Sequence, residues 1–239
     1  MKLLKEAWFE FKGIRSDDMG IYLRTMPIRF LPGRNITRKQ ISGRDGALAY
    51  GDGSYKDVSV RQECDARDET KLSEIAAWLT GSGELRFSDE PDRVYQASVE
   101  KEFSRSSIAA RFAGQRFTVN FTCAPFKKLY PEPAEIILTS AKAITNPGTA
   151  PSLPKVAISG YGDFSLTIGM QTIFFYGIEN GIIVDSELMD AISPDGSQLM
   201  NNQISGDPFE IQPGYNYVSW QVESGSITAV KITPRGRYL

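Results

Sequence analysis

The sequence predicts a mainly β protein in two parts, an α+β unit with one helix followed by an almost purely β unit. Three observations predict it. Apolar residues alternate with period two through most of the apolar stretches. A single stretch repeats its apolar residues at helical spacing. A proline-rich segment coincides with a reversal in charge.

The strands come first. In DVSVRQEC, Val58 and Val60 share one face while Ser59 and Arg61 take the other. FTVNFTC places Phe117, Val119, Phe121 and Cys123 on one side and Thr118, Asn120 and Thr122 opposite. Late in the chain, Val218, Trp220 and Val222 of YVSWQV fall in phase, as do Val230 and Ile232 of TAVKI. Each pattern is that of a strand with one face in a core and one in water. The predicted helix lies in DETKLSEIAAWLTG, where Asp68 is placed to cap the first turn and Leu72, Ile75, Ala76 and Leu79 form the stripe. Gly81 is placed to end it. Trp78 lies off the centre of the stripe and is expected to cover a core edge.

The division is expected near residue 135. Pro131, Pro133, Pro147, Pro151 and Pro154 cluster there, and proline cannot donate to a sheet ladder. Residues 1–134 carry 22 basic and 19 acidic side chains, whereas residues 135–230 carry 2 and 10. Domains of 1–135 and 136–239 are therefore expected, with the last strand free to return to the first.

Composition narrows the function. With 239 residues, 41% hydrophobic and 23% charged, the chain is long enough to bury a core and has the balance of a globular protein. No apolar run reaches the roughly 18 residues of a membrane span. Glu6 interrupts the segment where a signal peptide would need its apolar core. The two cysteines, Cys64 and Cys123, sit in strand-like alternation and are expected as buried thiols. The absence of histidine removes histidine-based acid–base catalysis, histidine-dependent triads and most zinc sites. No enzyme, cofactor or metal is expected.

Four stretches invite a functional reading. In GALAYGDG, Gly46 and Gly51 match the glycines of a phosphate loop, but Asp52 stands where the lysine belongs and would repel a phosphate. As a calcium loop counted from Asp45, the closing glutamate is replaced by Lys56. What remains is a pair of Asp-Gly turns between strands. Residues 19–44 hold Arg24, Arg29, Arg34, Arg38, Lys39 and Arg44 without an acidic residue; such a run suits nucleic-acid phosphates, but no nucleic-acid-binding signature accompanies it, and a solvated or partner-facing strand surface is expected rather than nucleic acid. Asp185, Glu187 and Asp190 form an acidic cluster, read as a wet strand face or charged interface rather than a catalytic carboxylate pair. Tyr215, Tyr217 and Trp220 have the side chains that stack on sugars, although the phase of Trp220 assigns it to the core.

Taken in order, FEFKGIRSDDMGIYL with its S-x-D-x-G turn, ISGRDGALAYGDGSYKDVSV, ITNPGTAPSLPKVAISGYGDFSLTI, IIVDSELMDAI, IQPGYNYVSW and VKITPRGRYL resemble the distal tail protein (Dit) family of siphophages, the tail-tip or baseplate hub. The resemblance runs from residue 9 to the C-terminus. It implies an N-terminal domain that forms a homohexameric ring, stacked between the tail tube protein and the tail-associated tip protein. It also implies a galectin-like C-terminal β-sandwich, which in some phages carries receptor-binding proteins. The implied location is the virion tail tip, with assembly in the bacterial host cytoplasm. The sugar-binding residues of galectins have no counterpart here. Within this frame, residues 32–58 are expected to form a hairpin-like arm across the subunit interface, with Arg34, Arg38, Arg44, Asp45, Asp52 and Tyr55 at the contact. The competing expectation is a carbohydrate-binding module or glycan-active protein using the C-terminal β unit.

Overall fold

The computed structural model describes residues 6–99, 105–106 and 115–239. These divide into two compact units, the first ending at Lys127 but taking in Leu239, the second running from Lys128 to Tyr238.

The first unit contains β1 (Phe9–Phe11), β2 (Ile14–Arg15), β3 (Ile21–Leu23), β4 (Thr37–Gln40), β5 (Ala47–Tyr50), β6 (Val58–Ala66), α1 (Leu72–Trp78), β7 (Gly81–Phe87), β8 (Glu90–Val99), β9 (Arg105–Ser106) and β10 (Gln115–Cys123). Its sheet runs β2-β1-β7-β8-β10-β6-β3, every neighbour antiparallel. The predicted alternation sets what is inside. Val58 and Val60 on β6 and Phe117, Val119, Phe121 and Cys123 on β10 all face the core. The two strands pair over nine positions, from Gln115 opposite Ala66 to Cys123 opposite Val58. Cys64 and Cys123 are both buried and free, and burial pushes both thiols up, that of Cys123 to about 12.

The helix is shorter than the sequence predicts. Asp68 does not cap α1 directly. Its carboxylate accepts the backbone N–H and hydroxyl of Thr70 at 2.9 and 2.6 Å, opening a 3-10 turn at Glu69–Lys71. The α-helix then spans seven residues and closes on a bond from Leu79 N–H to Ile75 O. Trp78 is not at the core edge but inside it. Its ring lies parallel to Phe9 at 5.6 Å, and its Nε1 donates to Phe11 O at 2.9 Å. Seven residues bring two turns over the sheet, so one large ring fills the space between helix and strands.

Strand β11 (Lys127–Leu129) spans the division. The second unit holds β12 (Ile136–Leu138), β13 (Lys142–Asn146), β14 (Lys155–Ile168), β15 (Gln171–Ile178), β16 (Ile182–Asp185), β17 (Asp190–Ile192), β18 (Ile204–Ser205), β19 (Gly214–Thr233) and β20 (Arg237–Tyr238). The long pair β14 and β19 is its axis, antiparallel from Lys155 opposite Thr233 to Ile168 opposite Val218. Residues from both ends of β14, Val156 and Ile158 with Phe164, Leu166 and Ile168, join one hydrophobic cluster. The sheet therefore curls over on itself, helped by register shifts at Ser159/Gly160 and Asp163/Phe164. Val218, Val230 and Ile232 are in this core as expected, but Trp220 is only half buried against it and Val222 is exposed. The ladder runs on past the core edge toward the bulge, so the alternation continues after its apolar partner has ended.

Candidate interaction surface

Strands β4 and β5 make a two-stranded ladder of their own, with Thr37 opposite Tyr50 and Gln40 opposite Ala47. It is extended toward its base by bonds from Asn35 N–H to Ser54 O and from Lys56 N–H to Gly33 O. Glycine explains both turns. Gly43 and Gly46 at the tip and Gly53 at the base have φ near +80°, where a side chain would be strained. Gly51 has ordinary φ but no room, because a Cβ would sit 2.4 Å from Asn35 O. The glycines that imitate a phosphate loop thus serve a hairpin.

At the base, the guanidinium of Arg34 lies 3.7 Å from the Tyr55 ring and donates to Gly53 O. Asp52 accepts the hydroxyl and N–H of Ser54, and these bonds hold its carboxyl below the usual range. Tyr55 in turn meets Phe126 edge to face. The structure therefore brings together Arg34, Asp52 and Tyr55 of the sequence-predicted contact residues. Arg44 and Asp45 lie at the opposite end, in the tip turn, and Arg38 lies midway opposite Ala49.

Every residue from 33 to 54 is exposed. Ile36, Ile41, Leu48 and Tyr50 are open to solvent, and Phe30 and Leu31 lead into the hairpin with exposures of 68% and 81%. A two-stranded ladder is marginal in water without an apolar face to bury. This one carries apolar side chains and no core.

The run of arginines is not one surface. Arg24 pairs with Asp65 at 3.5 Å, and Arg29 with Asp89 and Glu90 at 2.5 and 3.1 Å. Both are consumed within the first unit, leaving Arg34, Arg38, Lys39 and Arg44 on the hairpin. The sequence shows no acid within residues 19–44, but the acids that pair with Arg24 and Arg29 lie about 40 to 60 residues away along the chain.

The acidic cluster of the second unit is a closed structural device. Asp185 accepts both nitrogens of Arg235 at 2.6 and 3.0 Å, and the N–H groups of Glu187 and Leu188. Glu187 meets Lys128 at 2.7 Å and Arg235 at 3.4 Å, and Asp190 accepts from Asn201. Burial raises the Asp185 carboxyl, but the Arg235 bonds and charge and the two N–H groups prevail and leave it lowered. A lowered folded-state value contributes stability above the ordinary carboxylate range, which is lost as pH falls through the folded value. The second unit is accordingly expected to hold its melting temperature from about pH 8 to 5 and to lose it below about pH 4. Asp185→Asn should start lower and show a flatter acid limb in a pH series of thermal melts.

Tyr215 and Tyr217 stand exposed on β19, pointing away from the core that holds Val218. Among the described residues, no cluster of three metal-ligating side chains occurs and no helix is long and apolar enough to cross a membrane.

No protein-family model matches the chain and no curated protein matches it. Solved structures do. The crystal structure of the SPP1 Dit protein, described as a paradigm of the hub adsorption apparatus in phages infecting Gram-positive bacteria, aligns with a TM-score of 0.71 at 15% identity, covering 98% of this chain and 100% of that one. The phage p2 baseplate in its activated conformation with Sr aligns over 95% of this chain and 97% of that one, at 8% identity and a TM-score of 0.43. From its first described strands to its last, this chain has the fold of the SPP1 Dit protein.

Proposed function

We propose that this chain is a non-catalytic hub subunit of a phage or prophage tail tip, assembled as a homohexameric ring that joins the tail tube protein to the tail-associated tip protein. In this reading the first domain makes the ring in the host cytoplasm. The second, a galectin-like β-sandwich, lies at the periphery, where receptor-binding proteins dock. The observation that carries the proposal is the hairpin within residues 32–58: residues 33–54 are exposed on both faces, apolar in part, and have no core of their own. The full-length likeness in fold to a phage hub protein supports the same reading.

A ring is built from heterologous contacts, in which one face of a subunit meets a different face of the next. A permanent interface of this kind buries about 2,000 Å² or more. The hairpin supplies such a projecting face, with Arg38, Lys39 and Arg44 for an acidic surface on the neighbour and Ile36, Leu48 and Tyr50 for an apolar one.

Size-exclusion chromatography with light scattering tests it. The full chain is expected at six times its 26.5 kDa, about 159 kDa. Deleting residues 46–53 should return it to monomer. A hexamer that survives the deletion removes the arm from the interface, and a full chain that is monomeric at high concentration removes the ring.

A further inference from the structure

A groove of about 600 Å³ opens in the second unit, and none of the interface residues above contributes to it. Three segments converge on it: the turn between β15 and β16, the loop after β17, and the 3-10 turn Asn201–Gln203. Its volume is in the range of small-ligand sites, about 300–1,000 Å³.

The loop is held by its own bonds. Ser193 N–H donates to Gln198 O and Gln198 N–H to Ser193 Oγ, both at 3.0 Å. Asp195 accepts the hydroxyls of Ser193 and Ser197, which hold its carboxyl down at about 2. That carboxylate is spent inside the loop. A wall fixed in this way loses little freedom when a ligand arrives.

The groups left over define the ligand. Asn180, Gln198, Asn202 and Gln203 line the groove, and their side-chain amides make no hydrogen bond among the described residues. The Oε1 of Gln203 is buried without a donor, a costly state that a ligand or water would relieve. Each amide offers a donor pair and an acceptor, the complement of neighbouring hydroxyls that both donate and accept. No lysine or arginine lines the groove, whereas Glu179 and Asp195 do, so an anionic ligand is disfavoured. The lining is too polar for a hydrocarbon.

We propose that this groove binds a neutral disaccharide unit, held by the amides of Asn180, Gln198, Asn202 and Gln203. The inference does not rest on the hub role, and hexamer formation is read separately from it.

The test is titration of the full chain with cellobiose, maltose, lactose and N,N′-diacetylchitobiose to about 10 mM, followed in ¹H–¹⁵N spectra, a range that reveals millimolar affinity. At least one is expected to give saturable shifts confined to residues 179–181 and 193–203. Asn180→Ala with Asn202→Ala should weaken that sugar about tenfold, and Tyr215→Ala with Tyr217→Ala should not change it. If the Asn pair lowers the melting temperature, Gln198→Ala alone serves as the variant and should weaken the sugar as well. No saturable shift with any of the four sugars, shifts centred elsewhere, or affinity unchanged in the groove variants would overturn the proposal.

Discussion

Trp78→Ala is expected to destabilise the first unit by about 4 kcal/mol, the scale of deleting a buried aromatic from a packed core. Trp78 is 8% exposed, stacks on Phe9, and packs at a tilt against Phe11 with ring centroids 6.5 Å apart. Alanine would leave a cavity between helix and sheet that seven helical residues have little length to close over. It would also strip Phe11 O of the indole donor, leaving a buried acceptor short of one bond. Trp78→Phe separates the two effects, since it keeps most of the ring and loses only the N–H; a cost nearer 1–2 kcal/mol is expected. Urea unfolding followed through the amide signals of residues 6–99 measures both. A loss under 1 kcal/mol for Trp78→Ala would mean that the ring is not part of the core's packing.

Gly225→Val should abolish folding of the second unit. Gly225 and Gly162 face each other across the β14–β19 ladder, at φ of +84° and +103°. A Cβ on Gly225 would lie 2.0 Å from Tyr161 O, and one on Gly162 would lie 2.0 Å from Ser224 O. In both cases the obstacle is backbone, which no rotamer change removes. The strain of a β-branched residue at positive φ adds to it. Since β14 and β19 carry the sheet on either side, moving them apart exposes the whole core. Amide signals of residues 128–238 are expected to collapse in dispersion while those of residues 6–99 persist. Gly225→Ala, with the same Cβ and less bulk, should show the same pattern. A well-dispersed second unit in either variant would show that the bulge can re-form in another register.

Much of this architecture is legible in the residues themselves. Period-two alternation marks β6, β10 and β19; it assigns the buried face of β6 and β10 correctly, and on β19 it does so for Val218, Val230 and Ile232. The Asp-Gly pairs Asp45-Gly46 and Asp52-Gly53 announce turns beside strands, and Asp52 in place of a lysine refuses a phosphate. Where reading by pattern falls short, the reason is local each time. Trp220 keeps the phase of Val218, but phase says nothing about where the core ends. Trp78 is displaced from the apolar stripe, yet a short helix lets its neighbouring turn reach the sheet as well. The groove in the second unit has no signal in sequence, because its amides come from the β15–β16 turn and from residues 198–203, and neither stretch forms a motif.

The sequence by itself determined the mainly β class, the single helix, the buried thiols and the absence of histidine chemistry. These depend on residue type and on neighbours within a few positions, which is the range over which alternation and helical spacing act. Only the tertiary structure decided which charges are spent and which are free. Asp185 lies 50 residues from Arg235, and Arg29 lies 60 and 61 from Asp89 and Glu90. The facing of Gly162 and Gly225 and the exposure of the hairpin likewise depend on strand register and on what packs against each face. Register is a property of distant segments meeting, and it is there that a run of arginines becomes two internally paired arginines and one open arm.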